Sequence, residues 1–234
     1  MMSLSQAAIA VGGQLQGEDA VFDAISKDTR SLCKDDLYVA LKGENFDGHA
    51  FLNQAAELGA AGALVSEPQA IALPQICVAD TRIALGDLAS SWRQLFKGRL
   101  VAITGSNGKT TVKEMCRAIL NEAAGEDRVL STQGNLNNDI GMPMTLLTIR
   151  QQHDYAVIEM GANHVGEIDY LTSIAQPDVA LVNNVGQAHL EGCGSLENIA
   201  KAKAEIYNGL SDTGTAIIKP DDAYRSLGKD LCVN

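Results

Sequence analysis

Hydrophobic and polar positions follow two different styles along the chain, and the change falls near residues 80–100. In the first part the apolar stretches are short. Leu4 to Val11 has helical spacing and stops at Gly12-Gly13, and Leu37 to Leu41 reads as a strand running into the loop KGENFDGH. Ala50 to Leu58 repeats Phe51, Leu52, Ala55 and Leu58 at helical intervals, and Gly59 and Gly62 end it. Ala63-Leu64-Val65 and Ile76-Cys77-Val78 read as further strands, and a helix over Thr81 to Phe96 closes the region.

The second part is more regular. Continuous apolar runs occupy Leu100 to Ile103, Tyr155 to Ile158, Val179 to Val182 and Thr215 to Ile218, with helical stretches such as Val112 to Leu120 and Leu196 to Leu210 between them. A strand that is apolar at every position is buried on both faces, and such strands separated by helices imply a parallel sheet. The expected architecture is therefore α/β, with a small mixed domain over 1–82 ahead of a phosphate-loop type of parallel-sheet domain over 83–234.

Composition narrows the function. The 234 residues are 46% hydrophobic and 20% charged, a globular balance. Lys+Arg 18 against Asp+Glu 29 gives a formal net charge of -11, which argues against a general nucleic-acid binder. A nucleotide is still permitted, because a few phosphates need only one local positive pocket. The five cysteines are scattered without a Cys-x-x-Cys pair, which fits a reducing compartment and neither a disulfide frame nor a zinc site. The start MMSLSQAAIAVGG has no basic n-region, and no apolar run approaches ~18 residues. The expectation is a cytoplasmic protein that does not use the membrane.

The chemistry concentrates where the first inner strand ends. Leu100 to Thr104 runs into Gly105-Ser106-Asn107-Gly108-Lys109-Thr110-Thr111, and a helix begins near Lys109. Glycines let the backbone curl so that N–H groups face phosphate oxygens, and the helix N-terminus adds partial positive charge. Lys109 can reach the terminal phosphates, and the Thr110 hydroxyl can ligate magnesium. The spacing departs from the general rule, since Ile103 stands where a glycine is expected.

The strand Tyr155 to Ile158 ends in Glu159, on the rim that faces ligand in open parallel sheets, so Glu159 is a candidate magnesium ligand opposite Thr110. His189 follows the next strand, and its role stays open between a metal or phosphate contact and a structural one. Lys201 and Lys203 lie on a helix, where lysines are ordinarily solvated. The loop Thr132 to Pro143 carries Asn135, Asn137 and Asn138, whose amides can hold a polar substrate or build turns.

With those residues in view, the chain resembles the Mur ligase family of ATP-dependent amide ligases. TGSNGKTT is similar to that family's shortened phosphate loop, which accounts for Ile103. The order of loop, strand-end Glu159, His189 and helical lysine is also the family's. The stretches KDTRSLCKDDLYVALKGENFDGHAF, STQGNLNNDIGMP, VIEMGANHVGEI, NNVGQAHLEGCGS and IAKAKAEIY carry the resemblance over most of 27–207.

The resemblance implies that residues 1–82 hold the uridine nucleotide of a substrate, with Thr29 and Glu44-Asn45-Phe46 at contact positions. It implies that Gly105 to Thr111 bind ATP, that Thr110 and Glu159 ligate one magnesium, and that Glu159 and His189 serve a second. It also implies a lysine carbamylated by carbon dioxide, for which Lys203 fits better than Lys201. Lys109, Glu159, His189 and Lys203 are the implied catalytic groups, and Asn135 and Asn138 the implied substrate contacts. Among family members the quoted stretches favour the one that adds a dipeptide over the one that adds the third peptide residue. The implied substrates are then UDP-N-acetylmuramoyl-tripeptide and D-alanyl-D-alanine, joined through an acyl phosphate in peptidoglycan precursor synthesis. A monomer is expected. Family members continue well past residue 234, so the sequence reads as a truncated form with an incomplete central domain and no C-terminal domain. Its alternative reading is a nucleotide-binding fragment without catalysis.

Overall fold

The apolar runs of the second half lie side by side as parallel strands. In the computed structural model, which describes residues 1–186 and 195–219, the chain divides into two units, Met1–Ser91 and Trp92–Asn234.

The first unit begins with β1 (Met2–Ser3) and α1 (Leu4–Ala10), whose N-terminus is closed by a reciprocal cap. Ser3 Oγ accepts from Gln6 N–H at 3.2 Å while Gln6 Oε1 accepts from Ser3 N–H at 2.9 Å. There follow β2 (Gln14–Gln16), β3 (Val21–Phe22), β4 (Ile25–Ser26) and β5 (Leu37–Val39). The loop expected at KGENFDGH is instead a short antiparallel hairpin, β6 (Lys42–Gly43) with β7 (Phe46–Asp47). A 3-10 turn leads into α2 (Leu52–Glu57), then β8 (Gly62–Val65) and β9 (Gln75–Cys77).

These strands form a mixed sheet in the order β2-β9-β8-β5-β4, parallel except for β2 against β9. Leu52 and Ala55 of α2 pack with Tyr38, Ala40, Ala63 and Val65 to make its core. Helix α3 (Thr81–Leu95) carries the chain into the second unit.

That unit contains β10 (Arg99–Thr104), α4 (Lys109–Ala124), β11 (Val129–Ser131), α5 (Gly141–Leu146), β12 (Tyr155–Glu159), α6 (Glu167–Ala175), β13 (Val179–Val182), α7 (Leu196–Ala204) and β14 (Thr215–Ile217). The described strands pair in the order β11-β12-β10-β13-β14, every pair parallel. Val112, Cys116 and Leu120 turn one stripe of α4 onto Ile103, Val129 and Val157. Full burial of a side chain like Ile103 or Val157 contributes about 1.5–3 kcal/mol.

Strand β10 is the point where the connections change direction, because β12 flanks it on one side and β13 on the other. In register, Ile103 stands beside Glu159 and Thr104 beside Val182. The loop leaving β10 therefore opens into the crevice where ligands bind in such sheets. No disulfide joins the described cysteines, Cys33, Cys77 and Cys116. Among the described residues no helix is long and apolar enough to cross a membrane.

Candidate functional site

Gly108 is the pivot of the loop between β10 and α4. It caps the helix at φ 71, ψ 10, a left-handed conformation that glycine adopts without a Cβ penalty. Space is short as well, since an added Cβ would sit 3.0 Å from Asn183 Nδ2. The first intrahelical bond is Val112 N–H to Gly108 O, so the N–H groups of Lys109, Thr110 and Thr111 have no partner within the helix. Unpaired N–H groups at a helix N-terminus are chemically suited to an anion.

The preceding half of the loop is spoken for. Ser106 N–H donates to Asn184 O and Asn107 N–H to Asn184 Oδ1, both at 3.0 Å. Asn183 Nδ2 and Asn184 Nδ2 both donate to Asn107 O, at 2.8 and 2.9 Å. Ser106 Oγ donates to Gly186 O and accepts from Gly186 N–H. Asn183 and Asn184 thus brace the loop from the end of β13. Lys109 folds back over it and donates from Nζ to Gly105 O at 2.8 Å.

Glu159 is 2% exposed, at the end of β12. Its Oε2 accepts from Thr110 Oγ1 at 2.9 Å and its Oε1 from Asn137 Nδ2 at 2.8 Å. Its own N–H donates to Thr132 Oγ1 at 2.9 Å. The expected partnership of Thr110 with Glu159 is present as direct contact. The donor set suits magnesium: one carboxylate beside one hydroxyl leaves most positions to water and phosphate oxygens, as that ion prefers. Among the described residues no three His, Cys, Asp or Glu side chains are gathered to hold a metal without such help.

The remaining second-unit candidates separate. Lys203 is 3% exposed near the end of α7, whereas Lys201 is 51% exposed and pairs with Glu197 at 2.8 Å. His189 lies outside the described residues. Asn138 Oδ1 accepts from Gly141 N–H at 2.8 Å and so shapes the turn into α5, while Asn135 is exposed. The amide that reaches the carboxylate is Asn137. Periodicity could not have found it, because three neighbouring amides look alike until the fold chooses one. The same holds for Thr132, Asn183 and Asn184.

In the first unit a cavity of about 560 Å³ is lined by Lys27, Thr29, Tyr38, Phe46, Phe51 and Gln54, among others. Thr29 Oγ1 donates to Gln54 Oε1 at 2.9 Å, and the Phe46 and Phe51 rings stack with centroids 5.6 Å apart. Tyr38 OH donates to Gly48 O at 3.0 Å, and burial pushes its phenol up to about 12. On the same wall, hydrogen bonds from Arg30 hold the Asp28 carboxyl down at about 2. Of the expected uridine contacts, Thr29 and Phe46 meet in this cavity. Glu44 and Asn45 make the turn of the β6–β7 hairpin, outside the lining.

Known proteins resemble this chain in sequence and fold. The Mur ligase middle domain matches residues 103–232, and the Mur ligase family catalytic domain matches 21–93. The UDP-N-acetylmuramoyl-tripeptide–D-alanyl-D-alanine ligase of Escherichia coli (strain K12) is 53% identical over 221 residues, covering 94% of this chain and 48% of that protein. A crystal structure of MurF from Acinetobacter baumannii superimposes with a TM-score of 0.92 at 40% identity, covering 99% of this chain and 51% of that one. A MurF ligase from Thermotoga maritima, solved in complex with ADP, gives a TM-score of 0.79 at 32% identity over 89% of this chain and 48% of its own. The chain spans about half the length of these relatives. With a middle-domain match across more than half of its residues and the phosphate loop, strand-end carboxylate and sheet order in place, this chain belongs to the Mur ligase family.

Proposed function

We propose that the second unit binds ATP with magnesium, and that the chain serves an amide ligation joining D-alanyl-D-alanine to UDP-N-acetylmuramoyl-tripeptide, the reaction for which its relatives are named. The observation that carries the reading is the buried Glu159 carboxylate 2.9 Å from the Thr110 hydroxyl, beside a left-handed Gly108 and Lys109. In this reading the N–H groups of residues 109–111 bind phosphate oxygens. Lys109 has three donors, so Nζ keeps Gly105 O and still reaches a terminal phosphate. Thr110 and Glu159 hold magnesium, which supplies positive charge where a carboxylate must approach a triphosphate. That need is acute on a chain of net charge -11.

The first unit then takes the uridine nucleotide in its cavity, with a base against the exposed faces of Phe46 and Phe51. The buried Lys203, rather than the exposed Lys201, is the lysine proposed to carry a carbamate. Carbon dioxide adds only to a neutral amine, and burial is what sets Lys203 apart from the solvated Lys201.

Titration calorimetry of the 234-residue chain with ADP plus Mg²⁺, and separately with UMP, tests both halves. The reading expects two independent sites, with Lys109→Ala weakening ADP alone and Phe46→Ala weakening UMP alone. Absence of ADP binding at millimolar concentration, or ADP binding indifferent to Lys109→Ala, refutes the phosphate-loop assignment. Phosphate release with ATP and both peptide substrates reports whether the chain by itself turns over.

A further inference from the structure

Helix α4 carries a second lysine one turn beyond Lys109, and the phosphate loop does not use it. Lys113 is 2% exposed. Its Nζ donates to Thr132 O at 2.6 Å and pairs with Glu114 Oε1 at 2.8 Å. Burying an ammonium is costly unless it is neutralised and hydrogen-bonded, and both conditions are met. Glu114 is tied in turn by Arg117 Nε at 2.8 Å, and bonds from Lys113 and Arg117 hold its carboxyl below the usual range.

Thr132 is fully buried and every polar group it has is engaged. Its N–H donates to Val157 O at 3.1 Å, its Oγ1 accepts from Glu159 N–H at 2.9 Å, and its carbonyl accepts from Lys113. The contacts close into a ring. Thr110 and Lys113 stand on one helix; Thr110 reaches the Glu159 carboxylate, Glu159 N–H reaches Thr132, and Lys113 fastens Thr132 back to the helix.

Resting on the proposed magnesium site, we infer that Lys113 is a positioning residue: through Thr132 it fixes the end of β12 against α4, and so sets the spacing between Thr110 Oγ1 and the Glu159 carboxylate. The ring is what a metal with strict octahedral demands requires, since Mg²⁺ tolerates little drift in its ligands. Groups that orient metal ligands from behind alter metal affinity about 10–100-fold when removed. Lys113 meets no ligand itself and acts through two backbone groups.

The test uses the 234-residue chain and a fluorescent ADP analogue, titrated in EDTA and again in Mg²⁺. Lys113→Met keeps the length and apolar stem but has no donor. It is expected to retain binding in EDTA and to lose about tenfold of the Mg²⁺-dependent gain. Lys113→Arg, which keeps charge and donors, is expected to restore most of that gain. Glu159→Gln, combined with Lys113→Met, should lose no more than Glu159→Gln alone. A full Mg²⁺ gain in Lys113→Met, or equal losses with and without Mg²⁺, overturns the inference and leaves Lys113 a packing residue. A wild-type chain that binds ADP with no Mg²⁺ gain refutes the magnesium reading itself, which is a separate result. Should Lys113→Met fail to fold, Thr132→Val, which keeps the carbonyl bound by Lys113 but removes the Oγ1 that accepts from Glu159 N–H, breaks the next link of the ring and is expected to lose the Mg²⁺-dependent gain in the same way; a full gain in that variant overturns the inference.

Discussion

Replacing Gly108 by alanine perturbs the phosphate loop by one methyl group, and the cost follows from two features. Gly108 sits at φ 71, ψ 10, where an L-residue with a Cβ is strained by about 1–2 kcal/mol. The new Cβ also falls 3.0 Å from Asn183 Nδ2, which must give by a few tenths of an ångström against its bond to Asn107 O at 2.8 Å. Losing that bond costs about 0.5–1.5 kcal/mol. With that bond lost in full, the two sum to about 1.5–3.5 kcal/mol. If the loop keeps its shape, the cost appears as lost stability of the second unit in urea unfolding. If the loop relaxes, it appears as weaker ADP binding, by about 10- to 300-fold at tenfold per 1.4 kcal/mol. Calorimetry and denaturation on the same preparation capture both. A Gly108→Ala chain within about 0.5 kcal/mol of wild type in both measurements would refute the claim that this glycine is required by its conformation.

Further outcomes concern the first unit and α7. The Asp28 carboxyl, held at about 2 by Arg30, is ordinarily near about 3.9. Its contribution to stability is therefore present above pH ~4 and fades as pH falls toward 2. NMR titration should move its midpoint up to the ordinary range in Arg30→Ala, and an unchanged midpoint contradicts the assigned cause. Tyr38→Phe leaves the carbonyl of Gly48 without its phenol donor and should destabilise the first unit by about 1–3 kcal/mol in thermal unfolding. The neutral phenol, pushed up to about 12 by burial, adds stability that is full below pH ~10 and declines as pH rises from 10 to 12. Wild type should show that alkaline decline and Tyr38→Phe should not. With ¹³C-labelled bicarbonate, a carbamate resonance should persist in Lys201→Ala and vanish in Lys203→Ala, and the reverse pattern would reassign the modified lysine.

What could be read from the chain depended on how far apart the interacting residues lie. Strands β10, β12 and β13 announced themselves because burial on both faces leaves an apolar residue at nearly every position. Two- and three-residue strands such as β4, β6 and β11 show no period, and Val129–Ser131 ends in a polar residue. The KGENFDGH segment accordingly has the pattern of a loop although it pairs as a hairpin. Helix α6 is hard to recognise in the sequence although it buries Ile168, Leu171 and Ile174, because its entry at Gly166 and exit at Gln176 lack the side chains that usually mark helix ends.

The phosphate loop was legible because its chemistry is local: turn, lysine and hydroxyl lie within six residues, and a strand before and a helix after suffice to aim them. Glu159 was legible one step further out, since a strand's end can be located from its apolar run. Beyond that the sequence alone is silent. Asn137 meets Glu159 across 22 residues of sequence, and Asn184 meets Asn107 across 77. Those meetings exist because the sheet sets β12 and β13 on opposite sides of β10, with β11 outside β12. Local propensity and motif chemistry act over a few bonds and so are written residue by residue. Which distant amide, hydroxyl or ammonium closes around them is decided by strand order and register, which come into being only when the whole sheet assembles.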